Sequence, residues 1–237
     1  MFGNILDFVV SIYTVTLRRL HRIFCGLKYW GEFKVLVYHL SSRYREFFLS
    51  TKLLSDKDCA RMRDSELINS MLILLLEGVS EETPTSIENV YKKYDKEFSN
   101  CETIELQFHA VMRVVEQIYA YLNGAVGCFG NKNYFFTLYC VLANQMFGIS
   151  NCDLPRVPVF DAESITSHMS EFNRALTQFI SDYEANIDDK DNMYGLYLEY
   201  TEFAKHHKVR TTSKTERLQR ITFLNNAIER VAANDKE

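Results

Sequence analysis

The chain has 237 residues, 47% hydrophobic and 14% aromatic, enough to bury a sizeable core as one large or two small domains, which excludes an intrinsically disordered chain. Three prolines and nine glycines are too few for a sandwich or barrel full of tight turns, so the composition points to an all-α fold. A formal net charge of -4 excludes a surface coated uniformly in positive charge, so any nucleic-acid contact must be local.

Residues 1–30 stand apart from the remainder, 31–237. Residues 5–17 run apolar except for Asp7 and a few hydroxyls, and Arg18, Arg19 and Arg22 follow. A secretory signal carries its charge before the apolar run. A stretch of about 13 residues also falls short of the roughly 20 needed to span a bilayer as a helix. The expectation is a helix docked on the core or on a partner surface, with a helix lying on a membrane as the alternative and no stable insertion.

From Glu32 the helical signals are regular. Phe33, Val37, Leu40, Tyr44, Phe47 and Phe48 recur at three- and four-residue steps and form one apolar stripe. Ser55 with Asp58 resembles a capping box, and Gly78 closes the following helix, whose residues 71–76 are apolar all round. Thr85 and Glu88 read as the capping box of a helix with Ile87, Val90, Tyr91, Tyr94 and Phe98 on its inner face. A long helix over 102–122 stops at Asn123 and Gly124. Gly124, Gly127 and Gly130 have neither a preceding strand nor a P-loop Lys-Ser/Thr, so they predict a flexible turn rather than a phosphate loop.

NKNYFFTLYCVLANQMFG is the most hydrophobic element and predicts a central helix closed by Gly148. The loop over 149–160, with Pro155 and Pro158, is the best candidate for an internal boundary. A long helix from Asp161 carries Ile165, Met169, Phe172, Leu176, Phe179, Ile180 and Tyr183 inward, and an acidic turn leads to a helix with Leu196, Tyr197, Tyr200 and Phe203. The expected architecture is a multi-helix, bundle-like globular domain around a hydrophobic central helix.

The stretch HHKVRTTSKTERLQRI, residues 206–221, carries the candidate binding residues Lys208, Arg210, Lys214, Arg217 and Arg220. His206, His207 and Lys208 suit a helix C-terminus, where cations meet exposed carbonyls. Ser213 and Glu216 predict the capping box of a last helix. Lys214, Arg217 and Arg220, three apart, line one flank of that helix. Cations near a helix N-terminus oppose its dipole, so something acidic should face them: carboxylates of the 161–204 region within the fold, or phosphate from outside.

Catalytic and metal-binding patterns are not found. No H-E-x-x-H, G-x-S-x-G, P-loop or zinc-finger spacing occurs. His109 and His168 sit on apolar stripes and are expected as core or boundary residues. Glu184, Asp188 and Asp191 predict a solvated turn. The six cysteines contain no C-x-x-C pair and are expected as reduced, mostly buried thiols of a cytoplasmic protein. No cofactor is implied.

From about residue 31 to 231, the series GEFKVLVYHLSSRYREFF, SDKDCARMRDSELINSMLILLLEG, YKKYDKEF, NKNYFFTLYCVLA and TTSKTERLQRITFL resembles the helical region behind the ParB-like nuclease domain of GmrSD-type restriction proteins. The resemblance implies a bacterial phage-defence context, with Arg217 and Arg220 at family-like positions. The family's Asp-Gly-Gln-Gln-Arg signature, associated with nucleotide-dependent DNA cleavage, does not occur in this sequence, and no catalytic residue is carried over. The implied function is a non-catalytic helical module that binds DNA or a separately encoded ParB-like nuclease domain. A truncated remnant without activity of its own and a membrane-associated scaffold are the alternatives.

Overall fold

A computed structural model describes residues 31–156, 162–184 and 213–234, and every regular element in them is helical. The expected helix around Leu196 to Phe203 and its acidic turn, with residues 1–30, lie outside this set. In chain order the helices are α1 (Glu32–Ser50), α2 (Asp56–Cys59), α3 (Arg63–Glu77), α4 (Pro84–Tyr94), α5 (Cys101–Leu122), α6 (Lys132–Phe147), α7 (Ala162–Glu184) and α8 (Lys214–Asn234), with a 3-10 turn, Gly127–Gly130, ahead of α6. The all-α expectation is met, and no strand occurs among the described residues.

Stop signals act where the sequence placed them. Asn123 takes the left-handed conformation at the end of α5, and Gly78 and Gly148 close α3 and α6 with positive φ. Ser55 and Asp58 form a reciprocal capping box for α2. The start of α4 corrects the sequence reading. Thr83, not Thr85, is the N-cap, and it exchanges hydrogen bonds with Ser86 while Pro84 occupies the first helical position. Phe98 lies beyond the end of α4 and still packs on Phe33, ring centroids 5.9 Å apart.

Helix α6 occupies the centre, against α3, α5, α8 and the 3-10 turn. Its apolar residues run all round the helix, so burial on every side is the arrangement that removes them from water. Two of its buried polar side chains, Gln145 and Asn144, make hydrogen bonds inside the fold. Gln145 Nε2 donates to Asn225 Oδ1 of α8 at 2.7 Å, and Asn144 Oδ1 accepts from the Ile149 amide at 3.2 Å. Arg156 caps the C-terminus of α6 by donating to the carbonyls of Gln145 and Met146.

The glycine-bearing segment is a turn, and its 3-10 part is fastened to α7. Asn173 and Thr177 of α7 hydrogen-bond the backbone of Val126, Cys128 and Phe129. At Gly127, with φ +49°, a Cβ would come within 2.4 Å of Thr177 Oγ1.

Candidate functional site

The chain reaches α8 through Ser213, whose Oγ accepts from the Glu216 amide at 3.3 Å. This is one half of the expected capping box. Lys208 and Arg210 lie outside the described residues. Lys214 is exposed, but Arg217 and Arg220 turn inward, and Arg220 is only 1% exposed. Of the three described basic residues, Lys214 faces outward while Arg217 and Arg220 do not share that outer face.

The guanidinium of Arg217 sits against an acid from the acid- and hydroxyl-rich connection after α3, which was not among the partners expected for it. Its Nη2 lies 3.0 Å from Glu82 Oε1, with the two side chains 8% and 5% exposed. Nη1 donates to the Ser80 carbonyl at 3.2 Å, and the guanidinium carbon stands 4.6 Å from the centre of the Phe136 ring. An ion pair so buried needs hydrogen-bonding support to offset the loss of hydration, and the carbonyl and ring supply part of it. The acid expected from residues 161–204 is thus supplied to Arg217 by the 78–83 connection. Around Arg220, burial pushes the guanidinium pKa down, the like charge of Arg217 adds to this, and Glu216 opposes it.

A second constellation lies across the molecule, between α1 and α5. A groove of about 840 Å³ runs along the first turns of both helices and the 95–99 connection. Glu32, Glu97 and Glu102 are exposed along it, and Glu105 marks its inner end. The Glu105 carboxylate lies 3.1 Å from His39 Nδ1 and 3.6 Å from His109 Nε2. On the other side of His109, Nδ1 is 2.7 Å from the Tyr44 hydroxyl. Burial, then the Glu116 charge, push the Tyr44 pKa up to about 12. The phenol therefore stays protonated and donates to Nδ1, which leaves the imidazole proton on Nε2, facing Glu105. Burial and then the positive charge of Arg43 lower the His109 pKa, against the pull of Glu105.

This cluster ties α1 to α5 at the end of the groove. Tyr44 is buried, so the phenol is shielded from an incoming substrate. The nearby Cys101 thiol has its pKa raised by burial and by the carboxylates of Glu105, Glu32 and Glu102, which disfavours the thiolate a nucleophile needs. No group of His, Cys, Asp or Glu among the described residues has the geometry to hold a metal ion. Cys59, Cys101, Cys128, Cys140 and Cys152 form no disulfide.

Sequence reading placed His109 on an apolar stripe but missed His39, Tyr44 and Glu105 as its neighbours. Glu105 and His109, one helical turn apart, were the available signal. Their meeting with α1 has no local trace. Among the described residues no helix is long and apolar enough to cross a membrane. Comparison with family models, curated proteins and solved structures finds no match to the chain.

Proposed function

We propose that this chain is a helical module that works by binding a protein partner, with a ParB-like nuclease domain as the partner implied by its resemblance to the GmrSD-type proteins, and that it does not read DNA through Arg217 and Arg220. The observation that carries this reading is the inward pairing of Arg217 with Glu82 and Ser80. Phosphate contacts need cations that reach the surface, and the two family-like arginines instead fasten α8 to the core. The exposed side chains of Val35 and Leu106, 64% and 70% accessible, support protein binding as the alternative use of the surface.

Two titrations of the full chain test the proposal, one with duplex DNA across a salt series and one with a ParB-like nuclease domain produced separately. Saturable binding of the nuclease domain, with only weak DNA binding that Lys214→Glu does not alter, is the expected result. DNA binding that weakens steeply with salt and is lost in Lys214→Glu would overturn it.

A further inference from the structure

The groove between α1 and α5 sets carboxylates around an apolar wall. Val35, Leu36 and Cys101 line it, Glu32, Glu97 and Glu102 stand exposed along it, and Glu105 marks its inner end. Lys96 is the one Lys or Arg among its described lining residues. Glu32 and Glu102 sit in the first turns of α1 and α5, where a carboxylate offsets the positive end of the helix dipole. That role does not extend to Glu97, which lies in the connection before α5, or to Glu105, a turn further along.

These charges act on one space. The carboxylates of Glu105, Glu32 and Glu102 all bear on the Cys101 thiol. Glu32, Glu97 and Glu102 have no hydrogen bond or ion pair with any described residue, so their charge is left for something outside. Like charges gathered in a cleft with apolar walls focus the field there, and an incoming cation gains more than it would at an isolated carboxylate. A volume of about 840 Å³ is far more than a single ion fills. The α1 wall from Gly31 to His39 is about 12 Å long. That length holds about four residues of extended chain.

We infer that the protein partner enters this groove with a short extended segment, an apolar side chain against Val35 and flanking Lys or Arg side chains against Glu32, Glu97 and Glu102. The inference rests on the protein-binding reading above and adds where the partner is met and by what chemistry.

The probe is a short peptide in which leucines alternate with arginines, titrated into the full chain by fluorescence anisotropy. Saturable binding is expected, and the same peptide with glutamates in place of the arginines should not bind. E32Q/E97Q/E102Q should weaken binding about tenfold, and Glu97→Gln alone should act in the same direction. Glu46, Asp56 and Glu81 are exposed and lie outside the groove, so E46Q/D56N/E81Q removes equal charge elsewhere and should change little. All these carboxylates are exposed, and circular dichroism should show an intact fold in every variant.

Cys101 reports the place. Saturating peptide should slow its alkylation by iodoacetamide about tenfold while Cys128, outside the groove, reacts as before. An unprotected Cys101, or equal weakening by the two triple variants, would overturn the inference. So would self-association of the native chain that E32Q/E97Q/E102Q abolishes, which would place a second copy in the groove. Titration of the ParB-like nuclease domain separates the two readings. Binding of that domain unaltered by E32Q/E97Q/E102Q overturns the groove and leaves the partner. Groove-dependent peptide binding with no binding of the domain supports the groove and removes that partner.

Discussion

Glu82 and Arg217 meet 3.0 Å apart inside the protein, and through them the connection after α3 holds the first turn of α8. Removing one partner leaves the other as a buried, uncompensated charge. Glu82→Gln or Arg217→Met is therefore expected to cost about 3 to 5 kcal/mol of stability. The double variant Glu82→Leu/Arg217→Met should recover most of the loss, because an apolar pair of similar volume has no charge to desolvate. Urea unfolding of the two single variants and the double variant measures both terms. Arg217→Glu would place two carboxylates face to face and should unfold the protein rather than simply weaken a surface contact.

At α4 the observed cap gives a direct discrimination. Thr83→Ala removes the acceptor of the Ser86 amide and should cost about 1 kcal/mol. Thr85→Ala lies inside the first turn and should cost far less. Thermal midpoints of the two variants would decide which threonine starts the helix.

Gly78 is required for two separate reasons. Its φ is +76°, and a Cβ there would lie 1.9 Å from the Ser150 carbonyl oxygen. Gly78→Ala should destabilise by more than about 1 kcal/mol, since backbone strain and overlap act together. Gly124, at φ +85° with open space around it, bears only the first penalty, so Gly124→Ala should be milder in the same denaturation series.

The pH dependence follows from His109 and Asp58, both of which bind protons less readily in the folded state. Burial lowers the His109 pKa, so its contribution is complete above the unfolded value of about 6.5 and is lost as pH falls through the lower folded value. Tyr44, Glu105, Arg43 and His39 are the groups that set its field. For Asp58, hydrogen bonds from Ser55 bring the pKa to about 2, so its contribution persists until the pH drops below about 4 and is lost toward 2. Urea midpoints should be level near neutrality and fall on acidification. His109→Gln should flatten the upper part of that fall, and Asp58→Asn only the lower part.

The helical stripes were legible because their spacing is local. Phe33, Val37, Leu40, Tyr44 and Phe48 are all buried, as a 3.6-residue period requires. Gly148 and Asn123 likewise act through their own backbone. The α4 cap was misread because Thr85 and Glu88 match the acidic form of the box, whereas Ser86 does the same work with a hydroxyl just after Pro84. Local spacing also put Lys214, Arg217 and Arg220 on one flank of α8 without revealing which way that flank faces. Ser80, which accepts from Arg217, is 137 positions away, and such pairing is set by how α8 packs rather than by its own sequence. The contact of His39 with Glu105 was hidden for the same reason.

The central position of α6 also governs how the protein fails. Its twelve consecutive buried residues, 134–145, include YFFTLYCVLA, a run rich in aromatic and β-branched side chains with no charge and no proline. While α3, α5 and α8 cover it, the run is harmless; any opening that detaches α8 presents it to neighbouring chains as a sticky, strand-compatible surface. Heat unfolding is then expected to end in aggregation faster than in refolding, so the useful measure of this protein's durability is its half-life at temperature, set by how rarely α8 lets go.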